Sequence, residues 1–269
     1  MLPVRMAIGG ARTLGNALYL TSWNLIPIPL VKDIPMAAGY FLSRGTLSTY
    51  TMSYREHHST VLEAGDKPRP GVGHSSANGI CVYRHEGQAA AEAVSRTHGG
   101  ERVYHAYAAR HGFVQDIGES VLQKLGIRTN QVKVTEKAIN LAVTDAGGAG
   151  NGGIVSADVH SRGGLDLANA RSHLPNEVNR MLFIGTYGTA CIARKGDSAY
   201  AMNYMNPKDY VPCLSDPFGW CKARFFGDSE VQFVPTKATG FDHDFMGDAY
   251  QNALQDSAEK FNEFLKEQR

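Results

Sequence analysis

The sequence has no long run of like charge, no Cys-x-x-Cys pair and no unbroken apolar stretch of the ~20 residues that a membrane-spanning helix needs. Its 27 Lys and Arg residues against 26 Asp and Glu leave a net charge of +1, so nothing marks a polyanion-binding face and nucleic acid is not expected as a partner. The four cysteines, Cys81, Cys191, Cys213 and Cys221, sit in a chain of 269 residues, too large to depend on disulfide staples. Reduced thiols are expected, with a Cys213–Cys221 bridge the pairing left open. Charge is also missing from Thr13 to Val31, but Asn16, Thr21, Ser22 and Asn24 interrupt that stretch and Pro27 and Pro29 break a helix in its second half. No small-residue cleavage site follows it, so a soluble protein is expected, cytoplasmic or exported without a cleavable signal peptide.

What is present is a chain long enough, at 43% hydrophobic residues, to bury one sizeable core. The reading divides it into an apolar N-terminal arm or cap, residues 1–65, and a main domain, residues 66–269. The arm reads either as a helical segment packed on the main domain or as a flap that touches lipid through residues 13–31. Glu63 to Ser76, rich in Pro, Gly and Ser, reads as the boundary.

Beyond it, strand-like segments at Asn78–Tyr83, Arg102–Ala108, Gly152–Val159, Arg180–Ile184, Ala199–Met205 and Glu230–Val234 are interspersed with helical ones. The helices are read at Gln88–Arg96, Asp116–Leu125, Glu136–Thr144 and Gly164–Leu174. Such alternation predicts an α/β fold, a mostly parallel sheet with helices on both faces. At the C-terminus Met246, Tyr250, Ala253, Leu254, Phe261, Phe264 and Leu265 recur at helical spacing.

The glycine-rich GGAGNGG, residues 147 to 153, has the GxGxxG spacing of a dinucleotide loop in the wrong place: it follows a helical segment and enters a strand. It reads as a turn. The strand it feeds ends in DVHSRGG, residues 158 to 164, which puts Ser161 where a strand meets a helix, with Gly163 and Gly164 behind it. A serine held on such a turn as a nucleophile needs small neighbours two residues before and after, because the backbone there is crowded. Gly163 meets that demand and Val159 departs from it.

A serine of this kind is followed in the chain by an acid and then a histidine. Of ten histidines only His173 and His243 follow Ser161, and His173 falls within the helix leaving the turn. His243 lies in a loop between a strand and the C-terminal helix, where an imidazole can reach back over the sheet edge; a plain loop or capping role is the alternative. For the acid, Asp209 follows the strand AYAMNYM, with Asp197 and Asp216 as competitors. His111 reads as structural, and neither the His85–Gly87 nor the Asp242–Asp244 cluster offers two same-face metal ligands.

VHSRGG, the N-x-x-D-x-V-P segment from Asn206 to Pro212 and the His243 loop together resemble the α/β-hydrolase superfamily, with the acid segment similar to class-3 lipases. YRHEGQ and FDHDFMGDAYQNAL also resemble an uncharacterised family of chlamydial proteins. The resemblance covers roughly residues 78 to 269 and implies a serine hydrolase cleaving an ester, of a lipid or a small molecule, without metal or organic cofactor. It implies Ser161 as nucleophile, His243 as base and Asp209 as its orienting acid. It further implies an oxyanion held by the Arg162 N–H and by one from Glu86, Gly87 or Gln88, in the loop after the strand NGICVY. Because fold does not fix function, a hydrolase-like binding or effector module without catalysis is the alternative, and Val159 is the feature that favours it.

Overall fold

The structure is a computed structural model that describes residues 58–109 and 113–268. The arm through residue 57, with its uncharged stretch 13–31, and His111 lie outside the described residues.

Seven strands form one sheet: β1 (Thr60–Ala64), β2 (Val72–Ala77), β3 (Val103–Tyr107), β4 (Ile154–His160), β5 (Leu182–Tyr187), β6 (Tyr200–Met205) and β7 (Val231–Phe233), in the order β1-β3-β2-β4-β5-β6-β7. β1 runs antiparallel to β3, pairing Thr60 with Tyr107 and Ala64 with Val103. Every other pairing is parallel. The interspersed helices are α1 (Arg84–Thr97), α2 (Phe113–Lys124), α3 (Asn130–Asp145), α4 (Gly163–His173), α5 (Asn176–Arg180), α6 (Tyr210–Ser215), α7 (Pro217–Phe226) and α8 (Asp248–Glu267). A parallel sheet must be covered on both faces, and here it is. Val155, Ala157 and Val159 of β4 pack with Leu182 and Ile184 of β5 against Val132, Ile139 and Ala142 of α3 and Leu167 of α4. On the opposite face Val103, Tyr187 and Tyr204 meet Val94 of α1 and Tyr250, Ala253 and Leu254 of α8. This is the α/β-hydrolase fold.

Three readings change. Asn78–Tyr83 is a connection rather than a strand, and the strand before it is Val72–Ala77, inside the stretch read as a boundary. VGHSSA carries few β-branched residues because it is fully buried between β3 and β4, where hydrogen bonds and close packing replace propensity. The arm–domain boundary at residue 65 falls just after β1, so Thr60–Ala64, assigned to the arm, form the antiparallel edge of the sheet. Helices α6 and α7 have no counterpart in the sequence pattern. Asp209 caps α6 by accepting from the Val211 N–H at 2.9 Å, and Asp216 caps α7, with Pro217 at its start, by accepting from Gly219 at 3.0 Å. Their outer faces leave Leu214, Phe218, Phe225 and Phe226 exposed, which removes the amphipathic pattern that would announce them.

In the C-terminal helix Tyr250, Ala253, Leu254 and Phe261 are buried as the spacing predicts, whereas Met246 precedes the helix and is exposed. All four cysteines are free thiols. Among the described residues no helix is long and apolar enough to cross a membrane.

Candidate active site

β4 ends at His160 and α4 begins at Gly163, so Ser161 and Arg162 alone make the turn. Ser161 has φ 56°, a left-handed conformation that costs a side-chain-bearing residue on the order of 1–3 kcal/mol and persists only where the surroundings impose it. They do so through backbone hydrogen bonds: the Ser161 N–H donates to Tyr187 O at 3.2 Å, and its carbonyl accepts from Gly164 at 3.2 Å and Ala190 at 3.1 Å. Close packing bears on the small residues. A Cβ on Gly163 would lie 2.9 Å from Ala77 O, and one on Gly164 2.6 Å from Thr189 Cβ. Val159 is buried in the core cluster with Val155 and Ala157, so the strand accommodates its bulk without occupying the turn.

His243 and Asp209 come from loops that follow no strand directly paired with β4. The Ser161 hydroxyl donates to His243 Nε2 at 2.9 Å, and His243 Nδ1–H donates to Asp209 Oδ2 at 2.6 Å. All three side chains are buried. The competing acids are placed elsewhere: Asp216 caps α7, and Asp197 lies in the turn before β6. His173 ends α4 at the surface.

Four residues that sequence reasoning missed hold this chain of hydrogen bonds. Tyr250 of α8 donates its hydroxyl to Asp209 Oδ2 at 2.5 Å, and burial, reinforced by the Asp209 charge, raises its phenol well above the usual range and keeps it a donor. Gly188 lets the acid approach: at φ 55°, a Cβ there would lie 2.2 Å from Asp209 Oδ2 and 2.4 Å from the Tyr250 hydroxyl. Asn206, three residues before the acid, donates to Asp242 Oδ2 at 2.8 Å and Asp242 O at 3.1 Å, while its own Oδ1 accepts from the Lys208 N–H at 2.8 Å. Asn206 and Asp242 thereby tie the acid loop to the loop carrying His243. Asn206 opens the N-x-x-D segment, but nothing local in sequence links it to Asp242. The His160 ring, next to the serine in sequence, lies 4.6 Å from the His243 ring centroid.

The oxyanion residues divide. Arg162 follows the serine and its N–H opens α4; its side chain is buried, 3.4 Å from Glu119 Oε2 and 3.7 Å from Asp166 Oδ2. Burial raises the Asp166 carboxyl to about 6 despite the guanidinium beside it. Gly87 and Gln88 lie inside α1 instead of a loop: the Gly87 N–H donates to Tyr83 O at 2.9 Å, and the Gln88 side chain reaches Glu63 O. Glu86 closes the N-terminus of the same helix by accepting from the Tyr83 N–H at 2.8 Å. The strand ends at Ala77, so the connecting loop is Asn78–Tyr83. In that loop a Cβ on Gly79 would lie 2.6 Å from Ser161 Cβ and 2.9 Å from its Oγ. The loop is pinned by the Cys81 N–H, which donates to Asp116 Oδ2 at 3.0 Å.

A cavity of about 230 Å³ opens from Ser161 and His243 between α1 and the sheet. Ile80, Val82, Ala90, Val94 and Phe245 give it apolar walls, and Ser76, Asn78, His105 and Asp158 contribute to its lining. Among the described residues no three His, Cys, Asp or Glu side chains converge to hold a metal ion.

No protein-family model matches the sequence, and no curated protein matches it. Among solved structures the chain is similar to a Trichoderma reesei cutinase in complex with a phosphonate inhibitor, at 11% identity and a TM-score of 0.45, over 94% of this chain and 99% of that one. A likeness that distant adds nothing to the assignment of the fold, which rests on strand order and on the strand–turn–helix at Ser161. The resemblance to a chlamydial family gains no support from these comparisons.

Proposed function

We propose that the protein is a serine hydrolase that cleaves a carboxylic ester, with Ser161 as nucleophile, His243 as general base and acid, and Asp209 as the group that orients the imidazole. The observation that carries this reading is the continuous hydrogen-bonded series Ser161 Oγ, His243 Nε2 and Nδ1, Asp209 Oδ2, at 2.9 and 2.6 Å, ending on a serine with φ 56°. Structural serines have no need of that backbone strain, whereas a nucleophile that must stand clear of the sheet edge does.

In the first half of the reaction Ser161 Oγ bonds to the ester carbonyl carbon while its proton passes to His243 Nε2. The tetrahedral intermediate collapses, the bond to the alcohol oxygen breaks, and His243 returns the proton to the departing alcohol. Water then attacks the acyl carbon while His243 takes its proton, the bond to Ser161 Oγ breaks, and His243 returns that proton to Oγ as the carboxylic acid leaves. Asp209 holds the Nδ1–H tautomer throughout and stabilises the imidazolium; losing such an acid lowers kcat by about four orders of magnitude. The carbonyl oxygen, negative in the intermediate, is received by the Arg162 N–H and by a backbone N–H of the Gly79–Ile80 turn, in place of Gly87 and Gln88. The apolar walls of the cavity favour an acyl chain over a peptide or a charged group. No organic cofactor or metal has a part in these steps.

Labelling with a fluorophosphonate probe tests the reading. The intact chain is expected to label, and Ser161→Ala and His243→Ala to lose labelling while remaining folded by circular dichroism. An intact, folded chain that does not label would return the protein to the class of binding modules.

A further inference from the structure

The cavity beneath Ser161 is apolar along its walls but not throughout. His105 of β3 lies in its lining, fully buried, beside Ser76 of β2, which it faces across the sheet. Its Nδ1 is 2.8 Å from Ser76 Oγ, whereas its Nε2 is buried without a hydrogen-bond partner among the described residues. A buried polar atom left unpaired costs about 1–3 kcal/mol, so such an atom in a cavity wall points to something that enters the cavity.

Asp158 and Asn78, which share the lining with His105, are engaged. Asp158 accepts from the Tyr187 hydroxyl at 2.7 Å and from Ser156 Oγ at 3.2 Å, and its Oδ2 is 3.2 Å from His98 Nε2. Asn78 accepts from the Ala108 N–H at 2.9 Å and donates to Gly79 O at 2.7 Å. Gly87 of α1 faces this ring: a Cβ there would lie 3.6 Å from Nε2, in ordinary contact, and 2.9 Å from the Tyr107 ring, too close. Burial lowers the His105 imidazole to about 4, so near neutral pH the ring is uncharged and carries one N–H. Whichever way the proton is shared with Ser76, Nε2 is then either a donor or an acceptor, and a hydroxyl suits both. His105 stands two strands from β4 and level with Asp158, three residues before Ser161, so at ~4.8 Å per strand and ~3.3 Å per residue the two backbone positions lie roughly 10 Å apart across the sheet and roughly 10 Å along it, a span that an acyl chain covers because the His105 side chain itself lines the cavity.

Resting on the hydrolase reading, we propose that the cavity takes the acyl chain of the ester, that this chain bears a hydroxyl several carbons from the carbonyl, and that His105 Nε2 hydrogen-bonds that hydroxyl. His105 is thus a residue of specificity. An alkyl chain of equal length fills the same walls but leaves Nε2 unpaired, and sites built to bond a substrate hydroxyl discriminate against analogues lacking it.

The test compares kcat/KM for p-nitrophenyl octanoate with octanoates hydroxylated at successive carbons. At least one hydroxylated ester is expected to exceed its parent about tenfold, and the ratio to fall to near one in His105→Phe, which keeps a ring without nitrogen. Ser76→Ala, which disturbs only the partner of Nδ1, is expected to reduce the ratio and serves if His105→Phe does not fold. No advantage for any hydroxylated ester, or an advantage that survives in both variants, would overturn the proposal. The same comparison is read as binding by titrating Ser161→Ala with octanamide and its hydroxylated analogues, with tighter binding of one hydroxylated analogue expected and equal binding of all counting against the proposal. Failure of the hydrolase reading is distinct: no ester of either kind is turned over and the fluorophosphonate does not label.

Discussion

Tyr250 and His243 bond the same carboxylate oxygen: the phenol of α8 and the imidazole of the preceding loop both donate to Asp209 Oδ2, at 2.5 and 2.6 Å. The acid is therefore held by the last helix of the chain as well as by its own N-capping bond to Val211. Because Oδ2 carries both donors, removing one changes the charge density that the other meets.

Tyr250→Phe is expected to lower kcat about tenfold with little change in KM, since a hydrogen bond to a charged group contributes about 1.5–3 kcal/mol and part of that is lost in the transition state. Steady-state kinetics on one p-nitrophenyl ester decides it; a raised KM at unchanged kcat would place Tyr250 in substrate binding instead.

Gly188→Ala drives a methyl group to within 2.2 Å of Asp209 Oδ2 at a backbone φ of 55°. Strain of both kinds predicts a loss of about 2–4 kcal/mol in unfolding free energy together with loss of turnover. Urea denaturation measures the first, and an undiminished midpoint would show that the acid can retreat.

Gly79→Ala brings a Cβ to 2.6 Å from Ser161 Cβ without requiring a positive φ. If the turn at Gly79 receives the oxyanion, labelling and hydrolysis fall by about a hundredfold or more while stability falls by only about 1–3 kcal/mol. Activity that survives the substitution would move the second oxyanion donor elsewhere.

Ser161→Gly should be more stable than Ser161→Ala by about 1 kcal/mol. Both variants lack the hydroxyl and its bond to His243, and only glycine relieves the φ of 56°. Equal melting temperatures would mean that the turn holds no strain.

Stability should fall on the acid side. His74, lowered to about 4 by burial and then by the neighbouring His98, and His105, lowered to about 4 by burial, resist protons that the unfolded chain takes up below about 6.5. Each contribution is complete above pH ~6.5 and is lost as pH falls to ~4, by about 3 kcal/mol per histidine. Asp166, raised by burial to about 6, acts in the opposite sense: the folded carboxyl keeps a proton that the unfolded one releases near 3.8, which removes about 3 kcal/mol as pH rises from ~4 to ~6. Two histidines outweigh one aspartate, so the urea midpoint is expected to rise from pH 4 to 6.5, more steeply in Asp166→Asn and less steeply in His105→Phe. A flat profile would contradict the buried neutral state of both rings.

Much of this was legible in one dimension. Strand and helix alternation foretold the covered parallel sheet because burial on both faces demands continuous apolar strands such as LFIGTY; chain order left two of ten histidines, of which His173 falls in a helix, and the place of Asp209 just after the strand AYAMNYM set it before Asp197 and Asp216. Both signals are local or ordinal, so they survive without coordinates. What the sequence hid was decided by contacts between distant segments. VGHSSA is a strand because β3 and β4 enclose it, not by its propensity, and its end at Ala77 puts Asn78–Tyr83 in the loop after the strand, with Gly87 and Gln88 inside the helix that follows. Val159 breaks a spacing rule written for the turn, yet its side chain is buried in the core beneath helices α3 and α4, where its size is an asset. Tyr250, Gly188, Asn206 and His105 owe their significance to what lies beside them across gaps of tens of residues, a property of packing that no residue carries in its own neighbourhood.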